Sequence, residues 1–302
     1  MWMQEQSLWM MEVQIMKVYQ IKVNFHVTEQ IERYVYVYLI VGKHCYLIDS
    51  GVAGCQQIII DKMNEIGKEM SDLKAIFLTH AHPDHIGTAA WFKDQTGCKI
   101  YASKREKTWI EDVDLQFRER PIPNFYTLAG KSVMVDNCIK DGDTIELDET
   151  FSIEVIGTAG HSIDEVSYKV EDSLFIGDSI PVKGDIPIYV DCEASVRSLK
   201  RISKESNCKW FYPAWDFTYD SAMIYVKINE ALELIEGIES VVKIANQETN
   251  IKELVKQICE LLEKPELSSN PLFVKTVMSH LKHIDKEFNM ANSYQIIDRV
   301  FG

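Results

Sequence analysis

The chain has 302 residues, of which 46% are hydrophobic and 26% charged, and this composition is typical of a folded globular protein. Its 46 acidic and 32 basic side chains give a net charge of −14, which disfavours non-specific binding to nucleic acids. No apolar run approaches the roughly 20 residues that cross a bilayer, and residues 1–16 lack the pattern of a secretory signal. We therefore expect a cytoplasmic protein with neither nucleic acid nor membrane as a partner.

The seven cysteines are widely spaced and include no Cys-x-x-Cys pair. An odd number in this arrangement fits reduced, mostly buried thiols better than disulfides or a cysteine-based zinc site. The cysteines therefore favour a reducing compartment.

The order of predicted elements indicates the fold class. Residues 1–17 show no clear period and are expected to be a poorly ordered start. Beyond them, runs rich in Val, Ile, Leu and Tyr predict strands, and apolar residues at helical spacing predict helices between them. Elements mixed in this way indicate an α+β fold whose helices cover the outer faces of sheets. The predicted strands span residues 18–27, 34–41, 45–49, 75–79, 99–102, 133–135, 144–147, 151–156, 166–170, 174–176 and 209–212, and the longer predicted helices span 58–66, 104–120, 192–206 and 221–245.

Residues 247–302 change character and predict a helical C-terminal extension. Asn250 is placed to cap one helix, which Pro265 ends, and Asn270 with Pro271 is placed to begin another. Residues 251–302 hold seven acidic and seven basic side chains. Without excess positive charge, we expect it to pack on the body or to form a homodimer rather than to bind DNA.

The most unusual segment is residues 79–87, with the sequence THAHPDHIG, directly after a predicted buried strand. Neutral imidazoles suit zinc, iron and other borderline divalent ions, and a nearby carboxylate adds charge and a hard ligand. A strand end followed by a tight turn lets His80 and His82 converge on one ion. Asp84 and His85 can then turn toward a neighbouring ion at the start of the next helix.

This HxHxDH segment resembles the signature of the metallo-β-lactamase-fold hydrolases, and its form is similar to that of the glyoxalase II branch. Three further segments resemble motifs of that family and follow in the same order: IDSG at 48–51, GTAGHS at 157–162 and FIGD at 175–178. The resemblance covers about residues 18–220. It implies a hydrolase domain over residues 18–246, built as an αββα four-layer sandwich and followed by the helical extension.

The resemblance also implies a site for two divalent metal ions, with zinc expected and iron or manganese as alternatives. A water between such ions becomes the attacking hydroxide, and Asp84 would accept or relay a proton as the leaving group departs. Asp49 is expected to hold its turn and to orient a histidine ligand. The implied ligands are His80, His82 and His161 for the first ion, Asp84 and His85 for the second, and Asp178 as a bridge.

One position departs from the family pattern. Where the family supplies a final histidine to the second metal, this chain has Trp215, which cannot bind a metal. Three alternatives stay open: Asp216 substitutes as an oxygen ligand, the second ion is weakly held, or the site holds a single ion. The later histidines, His280 and His283, are expected on the surface of the C-terminal helices.

Residues 104–130 form an insertion that we interpret as a lid segment. Residues 104–120 are expected to form a charged helix and 121–126 an irregular loop. The basic side chains of Lys104, Arg105 and Lys107 are expected on a solvated helix face rather than in contact with phosphate. The aromatic side chains of the segment either line an apolar substrate pocket or pack the insertion onto the body. The pocket candidates are Trp109, Phe117, Phe125 and Tyr126, together with Trp215.

The sequence thus predicts a metallo-hydrolase in which a metal-bound hydroxide cleaves an ester-like bond, either a thioester or a lactone. Hydrolysis of β-lactams is disfavoured because an exported chain needs a signal segment. A mononuclear-iron enzyme resembling persulfide dioxygenases is one alternative, since the missing final histidine weakens the second site. A phosphodiesterase or ribonuclease of the same superfamily is another, disfavoured by the net charge of −14. A binding protein that has lost catalysis is a third.

Overall fold

The structure, a computed structural model, describes residues 16–148, 151–244 and 251–284. The predicted poorly ordered start, residues 1–17, lies outside these residues except for its last two, and so does the helix cap expected at Asn250. Two six-stranded sheets form the centre of the molecule. No helix in the described part of the chain has the length and apolar character to cross a bilayer.

The first sheet takes its strands in sequence order. They are β1 (Lys17–Thr28), β2 (Ile31–Val41), β3 (Cys45–Ile48), β4 (Leu73–Phe77), β5 (Lys99–Ser103) and β6 (Asn137–Ile139). The pairs from β1 to β3 are antiparallel, and those from β3 to β6 are parallel. The carboxyl ends of β3 and β4 therefore lie at the same edge of the sheet.

The second sheet is almost entirely antiparallel. Its strands are β7 (Thr144–Glu146), β8 (Ser152–Gly157), β9 (Val166–Val170), β10 (Ser173–Gly177), β11 (Trp210–Pro213) and β12 (Tyr219–Asp220). Each strand lies beside the next one in sequence, and only β10 and β11 pair in parallel.

Ten helices surround the sheets in the described residues, with short 3₁₀ turns at Met70–Asp72 and Pro265–Ser269. They are α1 (Gln56–Glu65), α2 (Pro83–Ile86), α3 (Ala89–Thr96), α4 (Lys107–Glu111), α5 (Val113–Glu119), α6 (Phe125–Ala129), α7 (Cys192–Ile202), α8 (Met223–Ile244), α9 (Ile251–Leu261) and α10 (Pro271–Ile284).

Side-chain alternation along the strands divides the interior between two kinds of core. In β2, Tyr38 and Ile40 belong to the core between the sheets, whereas Val37 and Leu39 belong to the core under the helices. The ring of Tyr38 packs against Phe175 of the opposite sheet, with centroids 5.4 Å apart. Because successive side chains point to opposite faces of a strand, residues 37–41 of β2, which are buried on both faces, are all apolar or aromatic.

Helices cover both outer faces of the paired sheets. Ile59 of α1 and Phe92 of α3 pack on the first sheet, and Leu199 of α7 and Ile228 of α8 pack on the second. The predicted αββα sandwich is therefore confirmed.

The lid segment differs from its predicted form. The single helix expected over residues 104–120 is wrong, because the chain breaks at Asp112 into α4 and α5. The φ of Asp112 is −141°, and its carboxylate accepts a hydrogen bond from the Leu115 amide at 2.8 Å. Such a side chain starts a new helix instead of continuing the old one. The helix α6 also begins inside the irregular loop expected at 121–126.

The strand expected at residues 133–135 is also wrong. Val133 and Val135 are buried, but they pack into the core beneath the lid segment and helices. The Val133 amide donates to the Ile110 carbonyl at 3.0 Å and the Val135 amide donates to the Glu111 carboxylate at 2.9 Å. Because these amides are hydrogen-bonded to the lid segment, they cannot pair with a neighbouring strand, and the strand forms only at β6.

The C-terminal extension packs on the second half of α8. Ile238 of α8, Ile258 of α9 and Phe273 of α10 share one buried cluster. The expectation of a surface position is wrong for His280, which is fully buried with its Nε2 2.7 Å from the Tyr189 hydroxyl. His283 is exposed as expected. The homodimer stays a prediction.

Candidate metal centre

Asp49 ties together the loops that follow β3 and β4. Its own amide donates to the Phe77 carbonyl at 2.9 Å, and its carboxylate accepts from the Thr79 amide at 2.8 Å and the Thr79 hydroxyl at 2.9 Å. Its Oδ2 also lies 2.8 Å from Nδ1 of His85. Asp49 therefore fixes the start of the THAHPDHIG segment and the ring orientation of His85.

Four side chains from both sheets converge at this edge: His80, His82, His161 and Asp178. One ligand atom from each lies within 4.8 Å of the others. Nδ1 of His82 lies 2.9 Å from Nε2 of His80 and 2.8 Å from Nε2 of His161. Oδ2 of Asp178 lies 3.2 Å from Nε2 of His161 and 3.9 Å from Nε2 of His80. The ends of β4, β8 and β10 thus bring together donors that are far apart in sequence.

Hydrogen bonds outside this cluster assign the histidine tautomers. Nδ1 of His161 donates to the Ile188 carbonyl at 2.8 Å. Nδ1 of His80 lies 3.0 Å from the Thr79 hydroxyl oxygen, whose own proton is directed to Asp49. With Nδ1 protonated in a neutral ring, the Nε2 lone pair of each histidine faces into the cluster. Lone pairs this close repel unless a cation lies between them, so the donor set fits a divalent metal ion.

A second set of donors adjoins the first. Nε2 of His85 lies 3.4 Å from Oδ2 of Asp178 and 3.7 Å from Oδ2 of Asp84. Because Nδ1 of His85 donates to Asp49, its Nε2 carries the lone pair when the ring is neutral. Among the described residues, His85 Nε2 and Asp178 Oδ1 are buried atoms that lack a hydrogen-bond partner. These orphaned atoms fit a second cation.

Burial sets the charge of the imidazoles. It lowers the pKa of His80 and His82 well below the usual range and that of His161 to about 4, so these rings are neutral near pH 7. Burial alone would also lower the pKa of His85, but the surrounding carboxylates, above all Asp178, raise that pKa well above its usual value. A metal ion therefore meets three neutral ligands and displaces a proton from the fourth imidazole.

Trp215 holds Asp178 instead of acting as a ligand. Its indole Nε1–H donates to Oδ2 of Asp178 at 2.9 Å. The ring packs edge-on against Phe25 with centroids 6.2 Å apart, and the guanidinium of Arg33 lies 4.5 Å from its centroid. The Tyr34 hydroxyl donates to the Trp215 carbonyl at 2.8 Å. These contacts fix the indole so that its N–H points at the carboxylate.

Asp216, the suggested substitute ligand, is engaged elsewhere. Its Oδ1 accepts from the Phe217 amide at 2.8 Å. Its Oδ2 accepts from the Tyr219 hydroxyl at 2.8 Å and lies 3.2 Å from Nζ of Lys227. The structure does not bring Asp216 to the cluster, and its role as a substitute ligand stays a prediction.

An apolar pocket of about 400 Å³ opens over the cluster. Its floor carries His82, Asp84, His161 and Asp178. Its walls are mainly aliphatic and aromatic side chains, among them Phe25, Ile122, Ile180, Ile186, Leu272 and Trp215. The C-terminal extension thus contributes to the pocket through Leu272.

The lid aromatics do not line this pocket as a group. Phe125 is buried in the core beneath the lid, and Tyr126 is half exposed with its hydroxyl 2.9 Å from the Asp114 carboxylate. Trp109 lines a separate cavity next to His82. Of the five candidates named from the sequence, the structure places only Trp215 in the pocket above the cluster, and Phe117 and Phe125 pack in the core beneath the lid segment.

Two charged residues of the lid segment reach the site without any signal in the sequence. Arg120 is only 7% exposed and lines the apolar pocket at the end of α5. Glu106 is buried and accepts hydrogen bonds from the amides of Ala81 at 3.0 Å and Asp164 at 2.9 Å, and from the Ser162 hydroxyl. Glu106 therefore ties the lid to the loops that carry the ligands. A sequence pattern marks a charged helix here, but only the fold shows which charges face inward.

Comparison with known proteins identifies the family. The family model of the metallo-beta-lactamase superfamily matches residues 31–207. A probable metallo-hydrolase of Methanocaldococcus jannaschii is 27% identical over 182 residues, which cover 58% of this chain and 84% of that protein. The hydroxyacylglutathione hydrolase of Hyphomonas neptunium is 30% identical over 205 residues, which cover 66% of this chain and 68% of that enzyme.

Solved structures share the fold at low sequence identity. A metallo-beta-lactamase family protein from Thermus thermophilus superposes with a TM-score of 0.68 at 17% identity, covering 89% of this chain and 93% of that one. A beta-lactamase domain protein from Burkholderia ambifaria gives a TM-score of 0.67 at 13% identity, covering 89% of this chain and 86% of that one. The resemblance seen in the sequence is confirmed, and the chain belongs to the metallo-beta-lactamase superfamily as a metallo-hydrolase.

Proposed function

We propose that this protein hydrolyses an ester-like bond, a thioester or a lactone, in a small molecule. One observation carries the proposal: a cluster of three imidazoles and a carboxylate opens, through His82, His161 and Asp178, into an apolar pocket of about 400 Å³. A pocket of that size takes a small organic group rather than a polymer. The hydroxyacylglutathione hydrolase named above acts on a thioester, which supports this substrate class.

The residues present fit two divalent ions. His80, His82 and His161 would hold the first ion, Asp84 and His85 the second, and Asp178 both. Nitrogen-rich donor sets with carboxylates suit zinc, and iron or manganese are the alternatives. Divalent ions at such a site supply a bound water acidic enough to act as a nucleophile near neutral pH, and a Lewis acid for the substrate oxygen.

Residues of the chain itself transfer the proton, hold the ligands in place and exclude water. Asp84 lies at the pocket floor, with its Oδ2 3.7 Å from Nε2 of His85, where it can take up a proton and deliver it to a leaving group. Asp49 and Trp215 keep His85 and Asp178 in place through hydrogen bonds of 2.8 and 2.9 Å. The apolar walls of the pocket exclude water around the acyl part of the substrate.

A second candidate function is a mononuclear-iron oxygenase of the persulfide-dioxygenase type. It is favoured by Trp215, which stands where the family supplies a ligand to the second ion and which donates a hydrogen bond instead. A phosphodiesterase or ribonuclease is less well supported, because the net charge of −14 repels extended phosphate backbones.

The cysteines support a reducing, cytoplasmic setting for this activity. All seven are free, and all but Cys138 are buried. Burial raises the pKa of Cys55 to about 12 and that of Cys45, Cys192 and Cys208 to about 11, so these thiols are poor nucleophiles.

The test combines elemental analysis with an activity screen on purified protein. The screen covers a thioester, a lactone, a phosphodiester and, by oxygen uptake, a persulfide. We expect two zinc ions per chain and cleavage of the thioester or lactone, with activity lost in His161→Ala and kept in His283→Ala, which removes an exposed imidazole of α10. One iron per chain with oxygen uptake would replace the proposal by the dioxygenase. Cleavage of the phosphodiester alone would also overturn it.

A further inference from the structure

A second cavity, of about 760 Å³, opens beside the apolar pocket. The two share His82 and Arg120 as lining residues, so they meet at the metal centre. The walls of the second cavity come from the lid segment, from the loop at Ser162 and Ile163, and from α10 of the C-terminal extension. A substrate whose reacting bond lies over the metal centre can therefore extend into both spaces.

The second cavity is strongly basic, and we call it the cationic cavity. Five basic side chains and one acidic side chain, Glu119, line it, although acidic residues outnumber basic ones by 46 to 32 in the whole chain. Like charges gathered in a concave, low-dielectric space create a positive potential that attracts anions. The basic residues are Lys104, Arg105, Arg120, Lys275 and Lys282. The expectation that Lys104 and Arg105 merely face solvent is therefore incomplete, since both also line this space.

Arg120 is the strongest indication that an anion belongs there. It is 7% exposed, and its guanidinium faces the junction of the two cavities. Within the described part of the chain, no side chain or carbonyl accepts a hydrogen bond from this guanidinium. None of its nitrogens is among the fully buried, unpartnered atoms of the described residues, so its N–H donors open onto the cavities, where a bound anion can accept from them. Carboxylate and phosphate oxygens match its planar donor geometry.

The C-terminal extension completes the cationic cavity. Nζ of Lys275 in α10 donates to the carbonyl of Glu119 at 3.0 Å, which ties the extension to the lid segment. Lys282 lies about two turns further along α10, is exposed, and stands at the rim of the cavity. Basic side chains thus run from the buried Arg120 to the exposed Lys282, as expected for a site that binds a group with several negative charges.

We propose that the cationic cavity binds an anionic leaving group of the substrate, a thiol or alcohol that carries carboxylates or phosphates, while the apolar pocket holds the acyl group. This inference rests on the proposed hydrolase function and adds the substrate class: an ester or thioester with one apolar and one polyanionic half. Water adds to the acyl carbon and the carbon–sulfur or carbon–oxygen bond breaks. One proton of the water passes through Asp84 to the departing sulfur or oxygen, the second is released to solvent, and the acyl half leaves as a carboxylate.

The kinetic test uses the metal-loaded enzyme and three thioesters of one acyl group. The thiols are N-acetylcysteamine, which is neutral, glutathione, which carries carboxylates, and coenzyme A, which carries phosphates. We expect kcat/KM to be about 10- to 100-fold higher for one of the charged thioesters than for the neutral one, the gain typical of a hydrogen bond to a charged group. Preference for the glutathione thioester would show that the cavity binds carboxylates, and preference for the coenzyme A thioester would show that it binds phosphates.

Variants assign the effect to the cavity. Lys282→Met and Lys275→Met should each lower kcat/KM for the charged thioester about 10-fold and leave the neutral one unchanged. Arg120→Met should lower kcat/KM for the charged thioester more strongly, with Arg120→Lys recovering part of the loss. Because Arg120 also lines the apolar pocket, the ratio of charged to neutral thioester is the readout for this variant. Arg118→Met in α5 and Lys252→Met in α9 remove exposed basic residues that do not line the cavity, and they should change neither substrate.

A binding measurement separates failure of this inference from failure of the proposed reaction. Calorimetry with the S-ethyl thioethers of the same three thiols, which cannot be hydrolysed, reports binding alone. Tighter binding of a charged thioether that Lys282→Met abolishes supports the anion site even if no thioester is cleaved, and in that case only the proposed reaction is wrong. Equal kinetics and equal binding for charged and neutral compounds would overturn the inference while leaving the hydrolase function intact.

Discussion

The hydrogen bond from Trp215 to Asp178 gives the most specific prediction about the metal centre. Trp215→Phe removes the indole donor, which lies 2.9 Å from Oδ2 of Asp178, and keeps an aromatic ring for the contacts with Phe25 and Arg33. The remaining neighbours of that oxygen are Nε2 of His161 at 3.2 Å and Nε2 of His85 at 3.4 Å. Neither replaces the donor, because both nitrogens are expected to face the metal.

The magnitude follows from the type of hydrogen bond. A hydrogen bond to a charged group contributes about 1.5–3 kcal/mol, and loss of a residue that orients a metal ligand typically weakens metal binding by about 10- to 100-fold. Burial by itself would raise the pKa of Asp178, whereas the imidazoles and the Trp215 N–H lower it. Trp215→Phe should therefore raise this pKa and make proton competition for the carboxylate stronger.

The assay is zinc affinity measured by competition with a chromogenic chelator across pH. We expect Trp215→Phe to weaken zinc binding about 10- to 100-fold, with a larger loss at lower pH. Trp210→Phe is the matched control, because Trp210 is 45% exposed, begins β11 and is not among the residues of the cluster or its pocket. If Trp215→Phe and Trp210→Phe bound zinc as tightly as the natural chain, the role given to the indole would be wrong.

Three further predictions concern positions around the site. Glu106→Ala leaves the amides of Ala81 and Asp164 without their acceptor. In denaturant titrations it should lower the free energy of unfolding by about 2–4 kcal/mol, and Glu106→Gln should lower it less. Equal stability of the natural chain and both variants would contradict this. Asp216→Ala should leave metal stoichiometry unchanged by elemental analysis, because its carboxylate binds Tyr219 and not the cluster, and a halved metal content would restore it as a ligand. Burial lowers the pKa of His280 from 6.5 to about 4, so the unfolded chain binds more protons between these values. The stability that comes from burying neutral His280 is fully present above pH 6.5 and is lost as the pH falls toward 4, by up to about 3 kcal/mol. In His280→Gln, the free energy of unfolding should change less with pH in that window.

Local patterns predicted those parts of the molecule whose environment follows from neighbours in sequence. The runs at β2, β3 and β4 are apolar because both of their faces are buried, and strand propensity and burial agree there. The ligand residues of the THAHPDHIG segment are close in sequence, so their spacing alone indicated a shared ion. The position of His161 and Asp178 beside them depended on the resemblance to a family rather than on any local pattern.

The errors at residues 133–135 and at His280 share one physical cause, which is that the deciding partner is remote in sequence, whereas the break at Asp112 is set by a local helix cap. Val133 and Val135 alternate like a strand, but their amides are bound by the lid segment, 23 and 24 residues earlier. His280 is buried because Tyr189, 91 residues away, accepts or donates a hydrogen bond at its Nε2. In the sequence, Arg120 belongs to a helix that is expected to face solvent. In the structure, the chain breaks at Asp112 and the end of α5, where Arg120 lies, is buried against the site.

The most direct test of the metal centre is the zinc content of the folded protein and of two single variants. After purification with excess zinc and removal of loosely bound metal, the natural chain should retain at least one zinc ion per chain. His80→Ala and His161→Ala should retain much less while keeping the circular dichroism spectrum of the natural chain. If both variants bound as much zinc as the natural chain, the cluster would not be a metal site and the proposed hydrolysis would lose its basis.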